Sequence, residues 1–139
     1  MTFYTILPMW NITRNKFAEK IEKLDEYLLT KKLDDMTIGE LAYHTGEVEY
    51  MFATWFFDIE APENIPANIQ ANKTALVQFL HDANKHVTYA MEQLDEEKWH
   101  EVIASRMGET TPAEAVARLI YHTGIHAGQI SIIEKTTTH

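Results

Sequence analysis

Hydrophobic residues recur with helical spacing in four stretches of the 139-residue chain. In residues 11–31 they are three or four positions apart, and Lys and Glu fill the remaining positions; the apolar set is Phe17, Ile21, Leu24 and Leu28. This pattern predicts a first amphipathic helix over 11–31, followed by a polar connector over 31–36.

A capping box predicts the start of the second helix. Thr37 is followed three residues later by Glu40, so each side chain can bond the other residue's backbone amide. The apolar stripe that follows consists of Leu41, His44, Val48, Met51 and Trp55. Residues 58–66 contain two prolines, which predict a loop.

Two further helices complete the pattern. Residues 66–94 carry a heptad-like apolar stripe and predict a third helix, whereas residues 95–110 receive no assignment. A second capping box, Thr111 with Glu114, has Pro112 at the first helical position, where the missing amide costs nothing. It predicts a fourth helix that ends near Glu134.

The four helices and the lack of alternating strand patterns predict an all-α fold, an antiparallel four-helix bundle. We expect one domain over residues 1–139, because this length can bury its own core without disulfides or a structural metal. Any metal would then serve function rather than folding.

Composition excludes several function classes. The chain contains no cysteine, so thiolate metal sites, disulfides and a cysteine nucleophile are ruled out. A formal charge of −9 without a basic stripe makes nucleic acid a poor partner. The apolar runs of the chain are too short for a signal peptide core or for the roughly 18 residues of a membrane span. This predicts a cytoplasmic protein without membrane contact.

The main chemical signal is a set of histidines on apolar helix faces. His122 and His126 are four residues apart, so on a helix their rings lie about one turn apart on the same face. His44 adds a third imidazole on the apolar stripe of the second helix. Buried imidazoles need a partner, and three of them with a water form an open coordination set for zinc or a similar divalent metal.

Less specific explanations exist for each histidine. A His-x-x-x-His pair alone is weak evidence for metal, and buried histidines in a purely structural bundle can bond backbone or side-chain groups. His81 and His86 fall beside or away from the third apolar stripe, which predicts solvated surface residues.

Four of the five glycines lie within or at the start of the two histidine helices: Gly39, Gly46, Gly124 and Gly128. An interior glycine costs a helix about 1 kcal/mol relative to alanine, so a packing gain should offset it. We expect close approach of the two backbones, which would bring His44 toward His122 and His126.

Two other metal-site classes fit poorly. The segment from His122 to His126 lacks the glutamate that zinc peptidases carry after the first histidine. A di-iron carboxylate bundle needs two Glu-x-x-His pairs, and the sequence has that spacing once, from Glu97 to His100.

The chain resembles the DinB/YfiT-like superfamily of four-helix bundles. The resemblance rests on His122-x-x-x-His126-x-Gly128-Gln129, on the preceding segment 108–112 and on His44 in the second helix. It implies a divalent metal, zinc or nickel, bound by three histidines, and an activity of the thiol-dependent S-transferase or isomerase type. Ile125 and Ala127 depart from the commonest pattern, which has histidine and arginine there.

Two functional hypotheses follow. In the first, His44, His122 and His126 hold a metal that activates a small-molecule thiol or water against an electrophilic substrate. In the second, the protein is a non-catalytic bundle that binds metal or is related to stress. Glu47 and Gln129, each one turn after a histidine, are candidates to orient the ligands or handle protons. The many aromatic residues, including three tryptophans, also suggest a homodimer.

Overall fold

Four α-helices form a bundle in the computed structural model, which describes residues 1–137 and, at Leu33, the backbone alone. They are α1 (Thr2–Lys23), α2 (Ile38–Phe57), α3 (Lys73–Gln93) and α4 (Pro112–Thr137). The predicted all-α four-helix bundle is therefore confirmed.

Helix α2 packs between α3 and α4 and positions the candidate site. It is antiparallel to α4, since His44 lies beside His122 and His126 while Leu41, one turn earlier, lines a cavity with Ile133. Helix α1 packs against α3 in the antiparallel direction. The Trp10 indole donates to the Thr88 hydroxyl, and Arg14, one turn later on α1, donates to the carbonyl of Leu80, two turns earlier on α3.

Helices α2 and α3 run in the same direction. Gly39 at the start of α2 lies against Gln70, and Tyr50 further along stacks obliquely on His86 at 5.0 Å between ring centroids. The connection over 58–72 must therefore return along the bundle before α3 can begin, which explains its length. The connection is bound to α2 by a hydrogen bond, in which the Tyr43 hydroxyl donates to the Pro66 carbonyl at 2.6 Å.

Both predicted capping boxes are present. The Glu40 amide donates to Thr37 Oγ1 at 3.0 Å, and Glu40 Oε1 accepts from the Thr37 amide at 2.9 Å. In the second box the Glu114 amide donates to Thr111 Oγ1 at 3.1 Å, and the Thr111 amide donates to Glu114 Oε1 at 3.0 Å. Hydrogen bonds from the threonine lower the pKa of each glutamate. These local contacts fix the starts of α2 and α4.

The first helix was predicted wrongly at both ends. Helix α1 begins at Thr2 and continues through Pro8, because burial of Phe3 and Trp10 compensates for the lost amide. It ends at Lys23, and a 3-10 helix at Glu26–Thr30 takes the place of the last predicted turns.

The third helix begins later than predicted. The Asn72 side chain accepts from the Ala75 amide at 3.0 Å and caps α3 at Lys73 rather than near residue 66. Pro66 stays in the long connection.

Two small hairpins were not predicted. Strands β1 (Lys32–Leu33) and β2 (Met36–Thr37) pair within the polar connector between α1 and α2. In the unassigned segment, a 3-10 helix at Glu96–His100 precedes strands β3 (Ile103–Ser105) and β4 (Gly108–Thr110), which form the second hairpin. Strands of two or three residues carry too few positions to reveal an alternating pattern.

The core consists of two apolar clusters stacked along the bundle. One contains Phe17, Leu41, Ala83 and Ile130; the other contains Trp10, Phe52, Val87 and Leu119. Between them, on α1, α2 and α4, lies a layer that includes Arg14, Glu49, Thr45 and Thr123, all buried. The three histidines occupy this same level on α2 and α4.

The tryptophans do not support the predicted homodimer. Trp10 and Trp99 are 0% and 1% exposed, so both serve the chain's own core, and Trp55 is partly buried. The homodimer remains a prediction. Among residues 1–137, no helix combines the length and apolar character needed to cross a bilayer.

Candidate metal centre

Three histidine side chains converge where α2 crosses α4. The centroid of the His44 ring lies 5.2 Å from that of His122 and 5.5 Å from that of His126, and the His122 and His126 centroids are 4.3 Å apart. One nitrogen from each ring can be chosen so that all three lie within 4.8 Å of one another. The structure thus brings together the three histidines singled out in the sequence.

Gln129 sets the orientation of His126. Its side-chain carbonyl oxygen Oε1 lies 2.6 Å from His126 Nδ1. Because a carbonyl oxygen only accepts, Nδ1 carries the proton and the other ring nitrogen, Nε2, is left with a lone pair. That Nε2 lies 2.9 Å from Nε2 of His122, so the two nitrogens face a common point.

Glu47 has a looser relation to His44. Its Oε1 lies 3.7 Å from His44 Nδ1, beyond hydrogen-bond distance, and the two side chains are 48% and 42% exposed. The carboxylate therefore lies at the solvent side of the cluster, one helical turn from the ring it could orient.

Burial keeps two of the histidines neutral. It lowers the pKa of His122 to about 4, with the neighbouring charges of His126 and His44 contributing in the same direction. Burial also lowers the pKa of His126, although its hydrogen bond to Gln129 opposes the shift. Neutral imidazoles keep the lone pairs that a metal requires.

The glycine interpretation was half wrong. A Cβ at Gly39 would collide with the Gln70 backbone, and one at Gly46 would lie 2.5 Å from the Phe79 ring, so these glycines do permit close packing. They pack against the long connection and α3, not against α4. At Gly124 and Gly128 a Cβ would meet nothing within 4 Å. The histidines therefore meet without glycine-mediated contact between α2 and α4.

The remaining sequence-selected residues are not members of the histidine cluster. His81 is exposed, as predicted, but His86 is partly buried, its Nε2 is shielded from solvent and burial lowers its pKa; the surface prediction for His86 was wrong. Ile125 is 40% exposed, whereas Ala127 packs against the apolar cluster that contains Phe17.

A cavity beside the cluster was missed in the sequence. It has a volume of about 420 Å³ and is lined by Gln129, Leu41, Ile132 and Ile133 together with Asp34, Asp35 and Met36 of the first hairpin. The adjacent aspartates between two apolar residues were a usable signal for a turn. Their proximity to α4 depends on tertiary packing.

Comparisons with known proteins agree with this architecture. No curated protein sequence matches the chain. Among solved structures, it is similar to the crystal structure of the mycothiol-dependent maleylpyruvate isomerase, with a TM-score of 0.67 and 14% identity. The likeness covers 92% of this chain and 60% of that one, so the chain spans about three-fifths of the isomerase's length. At this identity the likeness shows the fold.

A family model provides the assignment. The model described as the DinB superfamily matches residues 9–130, which include all of α2 and α3, most of α1 and α4, and all three histidines of the cluster. The match extends over most of the sequence, in agreement with the resemblance read from the histidine motif. The chain belongs to the DinB superfamily.

Proposed function

We propose that this protein is a metal-dependent enzyme in which His44, His122 and His126 hold a divalent ion, zinc or nickel, and that it transfers or rearranges groups on a low-molecular-weight thiol. The observation that carries the proposal is the convergence of three imidazole nitrogens within 4.8 Å. Three such ligands leave a coordination position open for a reactant.

The donor set fits a metal better than it fits a structural network. Burial favours neutral rings at His122 and His126, and a neutral imidazole keeps a lone pair on one of its two nitrogens. The two Nε2 atoms lie 2.9 Å apart with one shared proton between them, and a cation that replaced this proton would bind both lone pairs. Imidazole nitrogen suits both zinc and nickel.

The thiol must come from outside the chain, because the sequence contains no cysteine. A bound metal would lower the pKa of such a thiol and so supply a nucleophilic sulfur at neutral pH. The solved isomerase of similar fold is described as mycothiol-dependent, which supports this reactant class.

The chain's own residues would orient the ligands and accept the proton. Gln129 keeps the His126 proton on Nδ1, which leaves Nε2 available as a ligand. The Glu47 carboxylate lies 3.7 Å from His44 and faces solvent, so it can take the proton that leaves the thiol. The sulfur would then form a bond to the electrophilic carbon, and a leaving group would depart with its electron pair.

Metal analysis tests the first step. Protein purified without a histidine tag should contain about one equivalent of zinc or nickel, and His122→Ala should lose it. His81→Ala is the matched control, because His81 is exposed and lines a groove between α1 and α3, and it should retain full occupancy. Equal metal content in the wild-type protein and His122→Ala would refute the site.

Turnover tests the second step. The metal-loaded protein should consume a small thiol in the presence of an electrophile, and metal-free protein should not. Stoichiometric metal without turnover for any thiol and electrophile would instead favour a metal-binding bundle without catalysis. Cytoplasmic location, the single domain and the homodimer stay predictions.

A further inference from the structure

The cavity beside the cluster begins one helical turn from two of the histidines. Leu41 precedes His44 by three residues on α2, and Gln129 follows His126 by three on α4, so both helices lead from the cluster into the cavity. Gln129 connects the histidine cluster with the cavity, since its side-chain carbonyl oxygen accepts from His126 and the same side chain lines the cavity. The cavity has a volume of about 420 Å³, which is in the range of small-molecule sites.

The walls of this cavity are apolar and partly open to water. Met36 on β2 is 37% exposed and Ile132 on α4 is 52% exposed, and Leu41 and Ile133 form the floor beneath them. A ligand that covers Met36 and Ile132 would remove apolar surface from water, which favours binding.

The rim carries two carboxylates without a countercharge. Asp34 has a left-handed backbone with φ of 69°, which turns the chain between β1 and β2 and leaves Asp34 and Asp35 at the hairpin tip. Neither forms a salt bridge within residues 1–137, and no Lys or Arg lines the cavity. Two adjacent carboxylates disfavour an anion and attract a cation.

We propose that this cavity holds the body of the thiol and selects a thiol whose apolar chain ends in a cationic group. The sulfur would lie at the histidine cluster, the chain would lie across Met36 and Ile132, and the cation would lie at Asp34 and Asp35. This inference rests on the proposed thiol function. It adds a substrate preference, because organic anions would be disfavoured.

A charge series of matched thiols tests the preference. Hexanethiols that end in an amine, a hydroxyl or a carboxylate differ mainly in terminal charge, and their dissociation constants for the metal-loaded protein can be measured by calorimetry. At low salt we expect the amine to bind about tenfold more tightly than the carboxylate, with the hydroxyl between them. Added salt should reduce the difference, because both carboxylates are exposed.

A double variant assigns the effect to the hairpin. Asn tolerates the left-handed turn, so Asp34→Asn with Asp35→Asn should keep the fold and bring the three dissociation constants within about twofold of one another. Glu109→Gln, which removes an exposed carboxylate from the second hairpin, is the matched control and should keep the wild-type order.

Each outcome separates this preference from the proposed function. Equal binding of the three thiols by the wild-type protein, or an unchanged order in the double variant, overturns the preference and leaves the thiol function standing. A metal-loaded protein that binds none of the thiols overturns both. Circular dichroism and metal content would verify that every variant is folded and loaded.

Discussion

Two polar clusters lie at the same level of the bundle and have opposite character. In the first, Arg14 Nε donates to Glu49 Oε2 at 2.6 Å, and its Nη2 donates to Glu49 Oε1 at 3.1 Å and to the Leu80 carbonyl at 2.7 Å. The two side chains are 1% and 0% exposed. This cluster joins three helices, and its charges are matched.

The second cluster is formed by the three histidines and is incomplete, because its polar atoms are not all paired within the described residues. Its rings are partly open to solvent, its nitrogens converge, and Nδ1 of His122 has no hydrogen-bond partner among the described residues. A buried polar network that is satisfied within the chain stabilises and specifies the fold. One whose nitrogens converge and whose polar atoms are only partly paired is suited to a ligand. This difference is the one that the proposed metal site requires.

The largest expected effect comes from breaking the matched cluster. Arg14→Met would leave the Glu49 carboxylate buried and unpaired, which should reduce the free energy of unfolding by about 3–5 kcal/mol in urea titrations. Adding Glu49→Leu removes the orphaned charge and should recover most of this loss. A single variant that loses less than about 1 kcal/mol would show that Arg14 and Glu49 are not a structural pair.

The incomplete cluster should respond to metal instead. Metal at about 100 to 1,000 times its dissociation constant should raise the free energy of unfolding of the wild-type protein by about 2.7 to 4.1 kcal/mol. His126→Ala should show no such increase, whereas Arg14→Met with Glu49→Leu should keep it. Chelator-treated protein melted with and without metal provides the measurement, and equal stabilisation of His126→Ala would contradict the contrast.

A smaller effect is expected from the residue that orients His126. Gln129→Ala removes the acceptor for Nδ1–H and should weaken metal binding about 10- to 100-fold in competition with a chelator. Gln129→Glu keeps an acceptor oxygen and should bind more tightly than the alanine variant. Glu47→Gln is the matched comparison and should change affinity less, since its carboxylate lies 3.7 Å from His44. The reverse ranking would reassign the positioning role to Glu47.

The smallest effect concerns pH. The pKa of His122 is about 4 in the folded chain and 6.5 in the unfolded chain, so between these values the unfolded state binds more protons. The stability of metal-free protein should therefore fall as pH is lowered from about 6.5 toward 4, by about 1 kcal/mol once solvent screening of this half-exposed ring is included. His122→Ala should show a flatter profile in urea titrations over this range. Identical slopes would mean that His122 is not kept neutral by the fold.

Local sequence signals predicted much of the architecture. The starts of α2 and α4 were correct, because Thr37 with Glu40 and Thr111 with Glu114 each exchange bonds within four residues. Boundaries that depend on distant contacts were missed. Helix α1 continues through Pro8 because Phe3 and Trp10 enter a core built by other helices.

By itself the sequence determined the helical faces, and with them the three histidines, since helical periodicity depends on spacing along the chain. Only the tertiary structure decided what those faces meet. It placed Gly46 against Phe79 rather than against α4, left Gly124 open, and brought the Asp34 hairpin beside Gln129. Contacts between residues distant in sequence depend on how helices dock, and a one-dimensional pattern does not record docking.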